Sequence, residues 1–341
     1  MSQDGVVHVD DVYEPQIEQP TDVVVKVVAA AVCGTDLWMM RGIAPVPRPV
    51  RTGHEFVGVV VECGTDVRGL RPGTFVIAPF QVSDGVCPEC LRGLPIACWN
   101  RRFFGEFDDG EALDGGQAEF VRVPFAEATL LALADQPDPA LVPQLLTLTD
   151  VMPTGYEAAR HAGVQSGASV VVVGDGAVAQ CAIMASKWLG AEQIVVMSTH
   201  PSRQALARKN GATDVVGLRG DDGATAVRDL LDGGADHVID AVGTLPAMRQ
   251  AIGCARPGGR IGYVGLPWNV ELPLWELFGK NLVLSGGGAN VRTVMPTLLP
   301  AVLAGDLNPG VVFDSTFPLA QASDAYLAMN QRQSVKSMLL P

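Results

Sequence analysis

The sequence predicts an α/β chain in two parts, a mainly antiparallel, barrel-like β region followed by a doubly wound parallel sheet. Three observations carry that reading. Between residues 23 and 82, short Val-rich runs (DVVVKVVAAAV, EFVGVVVECG, TFVIAPF) are punctuated by Gly and Pro, as antiparallel strands joined by turns are. From about residue 150, short apolar runs alternate with helical patterns, which means a parallel sheet covered on both faces. At the first of those runs, VVVVGDGAVAQ sets a glycine-rich turn directly between a strand and a helix.

In order, the second part reads as strand ASVVVVG, helix AQCAIMASKWLGA, strand QIVVMS, helix RQALARKNGA, and strands TDVVG, ADHVIDAVG, GRIGYVG and NLVLSGG. The last fifty residues read as amphipathic helices MPTLLPAVLAG and ASDAYLAMN and a final strand VKSMLLP, expected to return to the first part. The expected boundaries are 1–149, 150–291 and 292–341. A chain of 341 residues, 48% hydrophobic and 18% charged, has the apolar content for about two such cores.

A formal charge of −13 opposes a nucleic-acid surface, because phosphate binding needs clustered Lys and Arg. The start, MSQDGVVHVDD, lacks the basic and apolar regions of a signal peptide, and the most apolar stretch, around 164 to 185, is split by Asp175. A cytoplasmic protein with no membrane partner is expected. Seven cysteines, in a reducing compartment, suit metal ligands better than a disulfide framework.

The turn spells Gly174-x-Gly176-x-x-Ala179. Gly174 permits the tight turn, Gly176 lets a pyrophosphate approach, and Ala179 lets helix and strand pack closely. Ala177 and Val178 open the helix whose N–H groups would face the phosphates. The next strand ends in MSTHPSR, where an NAD site would carry a carboxylate for the ribose 2′-hydroxyl. Ser198, Thr199, His200 and Arg203 stand there instead and suit a 2′-phosphate, so NADP(H) is expected over NAD(H). The alternative is that Arg203 is a solvated helix residue. Val242, the loop Val264-Gly265-Leu266, and Gly287 and Gly288 follow late strands and are expected against the nicotinamide, with plain tight turns as the alternative.

Cys33, His54 and Asp150 could be three ligands of a catalytic zinc with an open fourth position. Singly, each has a plainer reading: core cysteine, satisfied histidine, helix-capping aspartate. Spacing alone leaves these open. In SDGVCPECLRGLPIACWN, Cys87, Cys90 and Cys98 supply three ligands where a closed structural zinc site wants four.

The pair CGTD and GHE, the cysteine lobe at 83–100, DVMPTGY and the GxGxxA strand together resemble the zinc-dependent alcohol dehydrogenases of the medium-chain dehydrogenase/reductase family over almost the whole chain. The resemblance implies a GroES-like catalytic domain beside a Rossmann domain. It implies zinc on Cys33, His54 and Asp150, the last in place of a more usual cysteine. It further implies Glu55 as a glutamate that can approach the metal, Thr35 as the hydroxyl that relays the substrate proton, and Asp36 as the carboxylate orienting His54. The reaction implied is zinc-assisted hydride transfer between a small alcohol, aldehyde or ketone and a nicotinamide, in a homodimer or homotetramer. The chain departs from the family in lacking an apolar first strand and in placing Trp38 where some relatives carry a relay histidine.

Family lobes run Cys-x2-Cys-x2-Cys-x7-Cys. In that register Cys87, Cys90 and Cys98 are the last three ligands and Asp84 stands for the first, with Glu89 or an emptied lobe as alternatives. Trp38, Trp99, Phe103, Phe104 and Trp268 are read as pocket wall or core with equal weight, and Arg101, Arg102 and Arg292 leave an acidic or phosphorylated substrate open. Two rival functions are a zinc-free quinone or enoyl reductase on the same scaffold, which would lack the Cys33, His54 and Asp150 set, and a non-catalytic zinc and nucleotide binding protein, which would have no use for Thr35.

Overall fold

The computed structural model describes residues 1–108, 111–267 and 270–341. The described residues ahead of Val23 form no strand. Among the described residues, the first 150 positions then carry nine strands: β1 (Val23–Ala31), β2 (Glu55–Cys63), β3 (Phe75–Ala78), β4 (Gln81–Val82), β5 (Arg102–Phe103), β6 (Glu106–Asp108), β7 (Glu111–Leu113), β8 (Phe120–Val123) and β9 (Leu131–Ala132). Four short helices lie among or after them, α1 (Asp36–Met40), α2 (Pro88–Leu91), α3 (Ala126–Thr129) and α4 (Val142–Thr147).

Helix and strand then alternate: α5 (Val151–Ala162), β10 (Ser169–Val173), α6 (Ala177–Trp188), β11 (Gln193–Met197), α7 (Pro201–Asn210), β12 (Asp214–Val216), α8 (Gly220–Leu230), β13 (Ala235–Asp240), α9 (Leu245–Cys254), β14 (Ala255–Tyr263), α10 (Leu274–Gly279) and β15 (Val283–Gly286). The chain ends with α11 (Val291–Ala304), β16 (Phe313–Pro318), α12 (Ala322–Asn330) and β17 (Lys336–Leu340). Residues Met1–Asp150 and Asn290–Pro341 make one compact unit, and Val151–Ala289 another.

In the first unit the large sheet runs β16-β17-β1-β2-β3-β9, with β8 also on β1. Its pairings are antiparallel except β16 on β17. One edge of β1 is taken by β2; the other is shared, β8 pairing at Val23–Lys26 and β17 at Ala30–Ala31. Strand β1 is thus paired along both edges, and its side chains are buried at seven of nine positions, all but Lys26 and Val28. The core beneath includes Val25, Phe56, Val76, Phe104 and Tyr326.

In the second unit all six strands are parallel in the order β12-β11-β10-β13-β14-β15. The strand order reverses direction between β10 and β13, the switch point where such sheets bind ligands beyond their carboxyl ends. Val171, Val195, Val238 and Ile261 form the core with Met248 and Ile252 of α9, each buried side chain contributing roughly 1.5–3 kcal/mol. Helices α5 and α6 touch backbone to backbone: a Cβ on Gly155 would sit 2.6 Å from the Ala182 nitrogen. Among the described residues no helix is long and apolar enough to cross a membrane.

Candidate functional site

In the first unit, strand pairing carries distant residues to one place. Cys33 lies two residues beyond the end of β1, and His54 and Glu55 stand at the start of β2; the register Ala31↔Glu55 sets these ends side by side. The register Ala31↔Met338 brings the start of β17, and with it Lys336, to the same end of the sheet. Asp150 follows α4, and the segment before it is tied down by the Phe80 N–H, which donates to the Thr149 carbonyl at 3.0 Å.

Cys33, His54, Glu55 and Asp150 each offer a ligand atom, and those atoms lie within 4.8 Å of one another with all four residues buried. Asp150 Oδ2 is 3.6 Å from Cys33 Sγ and 3.6 Å from His54 Nε2. Tetrahedral zinc, with bonds of about 2.0 to 2.3 Å, separates its ligand atoms by about 3.3 to 3.8 Å, and both distances from Asp150 fall in that range. Glu55 Oε1 is further out, 4.0 Å from His54 Nε2. Two buried oxygens nearby in sequence, Thr35 Oγ1 and Glu55 Oε2, have no hydrogen-bond partner among the described residues.

The support beneath is charged. Asp36 Oδ2 accepts from the Cys33 N–H at 2.9 Å and from Gln117 Nε2 at 3.2 Å, while Asp36 Oδ1 lies 3.7 Å from His54 Nδ1, an ion-pair distance longer than a hydrogen bond. Gln117 is held in turn: Oε1 accepts from Thr52 Oγ1 at 2.8 Å and Tyr326 Oη at 2.7 Å. Lys336 Nζ donates to Glu55 Oε1 at 2.6 Å and to the Val32 carbonyl at 3.2 Å.

Burial pushes the Cys33 thiol and the Glu55 carboxyl up, the second against the pull of Lys336. Burial would lower His54, but Cys33, Asp150 and Asp36 outweigh it and hold it well above the ordinary histidine value. A divalent cation would displace the Cys33 proton and take the thiolate and imidazole as ligands.

The cysteine lobe gathers a second set. The ligand atoms of Asp84, Cys87, Cys90 and Cys98 lie within 4.8 Å of one another. Cys98 Sγ accepts from the N–H groups of Asp84 and Asn100, both at 3.3 Å, and lies 3.9 Å from Cys87 Sγ. Asp84 Oδ1 accepts from the Val86 and Cys87 N–H groups, each at 2.9 Å, and Oδ2 from Asn100 Nδ2 at 2.7 Å. Burial raises the Asp84 carboxyl, yet those bonds hold it well below its ordinary value. Glu89 is not part of the set and pairs with Arg92. Three thiols and a carboxylate on one short loop are a fitting zinc donor set.

In the second unit, Gly174 is left-handed (φ 118°), and a Cβ there would meet Val242 Cγ2 at 2.9 Å. Gly176 is the N-cap of α6 and faces open space. That open cradle at a helix N-terminus, with Ala177 and Val178 in its first turn, fits a pyrophosphate. Asp240 ties two further loops together: Oδ1 accepts from the Val242 and Gly243 N–H groups at 2.8 and 3.1 Å, and its carbonyl accepts from Val264 and Gly265 at 3.1 and 3.2 Å. A Cβ on Gly265 would lie 2.1 Å from the Gly243 nitrogen, so the loops meet glycine to glycine. Val242 and Leu266 are large apolar residues left exposed at this end of the sheet. Gly287 is also left-handed, at φ 143°, and Gly288 follows it.

Ser198, Thr199, His200 and Arg203 meet at the tip of β11, with an addition that the sequence does not reveal. The strand tip carries no carboxylate of its own, but Asp175, inside the glycine turn, reaches it, accepting from Ser198 Oγ at 2.7 Å and Arg203 Nη1 at 3.1 Å, with His200 Nδ1 at 2.7 Å. Arg219 Nη2 donates to Thr199 Oγ1 at 2.9 Å.

Of the aromatics, Phe104 is core, edge-on to Phe56 at 5.0 Å, while Trp99 is exposed on the lobe. Trp38 is half-buried and Trp268 lies outside the described residues. Phe103 stacks on Phe80, which stands edge-on to His54 at 6.3 Å. Arg101 lies over Phe103, Arg102 donates to the Ala112 carbonyl, and Arg292 is half-buried and lowered by burial. Phe80, Gln117, Lys336, Tyr326, Asp175 and Asp240 escaped the sequence reading; only Asp240, as the polar end of an apolar strand, had a local signal.

Residues 19–134 match the family model described as the alcohol dehydrogenase GroES-like domain, and residues 177–303 the one described as zinc-binding dehydrogenase. The chain is 35% identical to zinc-type alcohol dehydrogenase B of Aspergillus flavus, covering 93% of this chain and 74% of that protein. It is 34% identical to a Mycobacterium tuberculosis protein named "Probable zinc-binding alcohol dehydrogenase", covering 96% and 84%. Among solved structures, alcohol dehydrogenase TADH from Thermus sp. ATN1 superposes with a TM-score of 0.92 at 30% identity, covering 100% of this chain and 98% of that one.

Two outcomes test the geometry. Lys336→Met strands a buried carboxylate and should lower stability by about 3–5 kcal/mol, whereas Glu55→Gln/Lys336→Met should recover much of the loss; urea unfolding of these two, of Glu55→Gln alone and of the unmodified protein measures this, and strictly additive single effects would count against the pair. Elemental analysis should find two zinc ions per chain, and one after Asp84→Ala. One zinc in the unmodified protein would leave the lobe without a metal role.

Proposed function

The chain belongs to the zinc-dependent alcohol dehydrogenases of the medium-chain dehydrogenase/reductase family, an oxidoreductase class, and from that premise we propose that it transfers a hydride between NADP(H) and a small alcohol or its aldehyde or ketone. The observation that carries this beyond the family is the unpartnered, buried Thr35 Oγ1, two residues from Cys33 in a set whose spacing fits zinc. Zinc held by Cys33, His54 and Asp150 would supply Lewis acidity toward the substrate oxygen, and the nicotinamide would take or give the hydride.

The protein's own groups then have distinct work. Thr35 Oγ1 relays the substrate proton, accepting it from the substrate hydroxyl while passing its own hydroxyl proton outward to solvent, with both transfers reversed in the reduction direction. Asp36, braced by Gln117, holds the His54 ring from its Nδ1 side. Lys336 offsets the Glu55 charge, so that the thiolate and Asp150 balance a divalent ion. Phe80 and Phe103 give the His54 side an apolar wall, which favours an uncharged substrate. A zinc-free reductase would have no need of this ligand set, and a binding module none of Thr35.

Hydrogen-bond donors and two arginines at the tip of β11 support NADP(H) over NAD(H). Leu274, Trp275 and Phe278 are exposed on α10, with the two rings stacked at 5.6 Å; this apolar strip is the surface we assign to a homodimer or homotetramer. A cytoplasmic setting suits seven free thiols among the described residues.

The test is NADPH oxidation with a panel of aldehydes and ketones, alongside cofactor binding by Arg203→Ala. The variant should lose about tenfold or more in NADPH affinity and little in NADH affinity. Equal losses for both cofactors would contradict the 2′-phosphate contact, and no turnover on any carbonyl would contradict the reaction.

A further inference from the structure

The turn Gly174-Asp175-Gly176 does more than let a pyrophosphate approach. Its central carboxylate is directed along the sheet edge to the tip of β11, where both oxygens are engaged: Oδ2 with Ser198 Oγ and His200 Nδ1, each at 2.7 Å, and Oδ1 with Arg203 Nη1 at 3.1 Å. Only 15% of the Asp175 side chain and 12% of the Arg203 side chain reach solvent, so this is a partly desolvated ion pair in which charge counts for more than on an open surface. The arrangement is also pinned from behind. Gln180, fully buried, donates from Nε2 to the carbonyls of Arg203 at 3.2 Å and Asp175 at 3.4 Å, and its Oε1 accepts from Asn210 at 2.9 Å. Burial would raise the Asp175 carboxyl, but Ser198, His200 and Arg203 outweigh it and keep it ionised.

The tip of this strand is where a dinucleotide fold distinguishes a ribose 2′-hydroxyl, which asks for a carboxylate, from a 2′-phosphate, which asks for arginine and other donors. This chain supplies both, the carboxylate from the glycine turn and the donors from the strand tip and helix α7. We propose that Asp175 is the specificity-determining residue for the adenosine ribose: it can accept from a 2′-hydroxyl, and it occupies and offsets the donors that a 2′-phosphate would use. A 2′-phosphate brings about −1.5 to −2 charge. It must compete with Asp175 for Ser198, His200 and Arg203 while facing the carboxylate itself, whereas a 2′-hydroxyl meets an acceptor already in place. Asp175 therefore restrains the preference for NADP(H) and leaves the site open to NAD(H). This rests on the proposed NADP(H) reading for its starting point, but the effect of Asp175 is measurable whichever cofactor the unmodified protein prefers.

The experiment is equilibrium binding of NADP+ and NAD+ to the intact protein by titration calorimetry, comparing wild type with Asp175→Asn and Asp175→Ala. The ratio of the two dissociation constants in one preparation cancels any loss of folded protein, and Asn keeps the size and the acceptor oxygen for Ser198 while removing the charge. The ratio Kd(NADP+)/Kd(NAD+) should fall about tenfold or more in both variants. A ratio that stays within about twofold of wild type, or rises, overturns the proposal. Wild-type protein that binds NAD+ more tightly, with a ratio that still falls in the variants, would refute the cofactor reading and leave the role of Asp175 standing; failure to bind either dinucleotide would refute both.

Discussion

The contact between Lys336 Nζ and Glu55 Oε1, 2.6 Å long and shut away from water, shows the constraint under which the first unit is built. Groups of like charge that leave water together must be matched by opposite charge or by protons. Cys33, Glu55, Asp150 and Asp36 are all buried around His54, and Lys336 offsets one of them. The chain brings these residues together through sheet registers that also bury Val25, Phe56 and Tyr326. The fold thus supplies the energy for a cluster that would not assemble alone, and a divalent ion would supply the charge that the cluster lacks.

The second unit solves a different problem, leaving backbone open at a helix N-terminus, as a polyanion would require. Gly176 gives an unobstructed helix start, while Gly243 and Gly265 let two loops approach so closely that Asp240 can hold both. Polar anchors carry these loops from below, Gln180 under the glycine turn and Asp240 under the loops that follow β13 and β14. The sheet is standard for its class, and its individuality lies in side chains such as Asp175 at the carboxyl ends of strands.

Much of this was legible in the sequence because its signals are local. Apolar runs and glycine turns predict the parallel sheet, and its strands stand where ASVVVVG, QIVVMS, TDVVG, ADHVID and the later runs place them. Helix α8 is harder to see, since it opens on Gly-Asp-Asp-Gly and buries few side chains. Strand β16 buries none fully and gains its place by pairing with β17. Cys33, His54 and Asp150 were each ambiguous alone and became a set through resemblance to a family. Their supports were not legible, because pairing depends on contacts that sequence proximity does not show: Lys336 is 281 residues from Glu55, and Gln117 is 81 from Asp36. Asp175 was hidden differently, as an unremarkable position inside a familiar motif whose side chain direction only the folded turn reveals.

The central claim is that the buried set around His54 is a metal centre whose cysteine gives up its proton to the ion. Burial raises the Cys33 thiol, so taking its sulfur as a thiolate ligand would release a proton at neutral pH. The direct measurement is calorimetric titration of zinc into metal-free protein in buffers of different ionisation enthalpy, comparing wild type with Cys33→Ala. The account predicts that the variant binds one fewer zinc per chain and releases at least one fewer proton. Equal zinc uptake and equal proton release by the two proteins would contradict it.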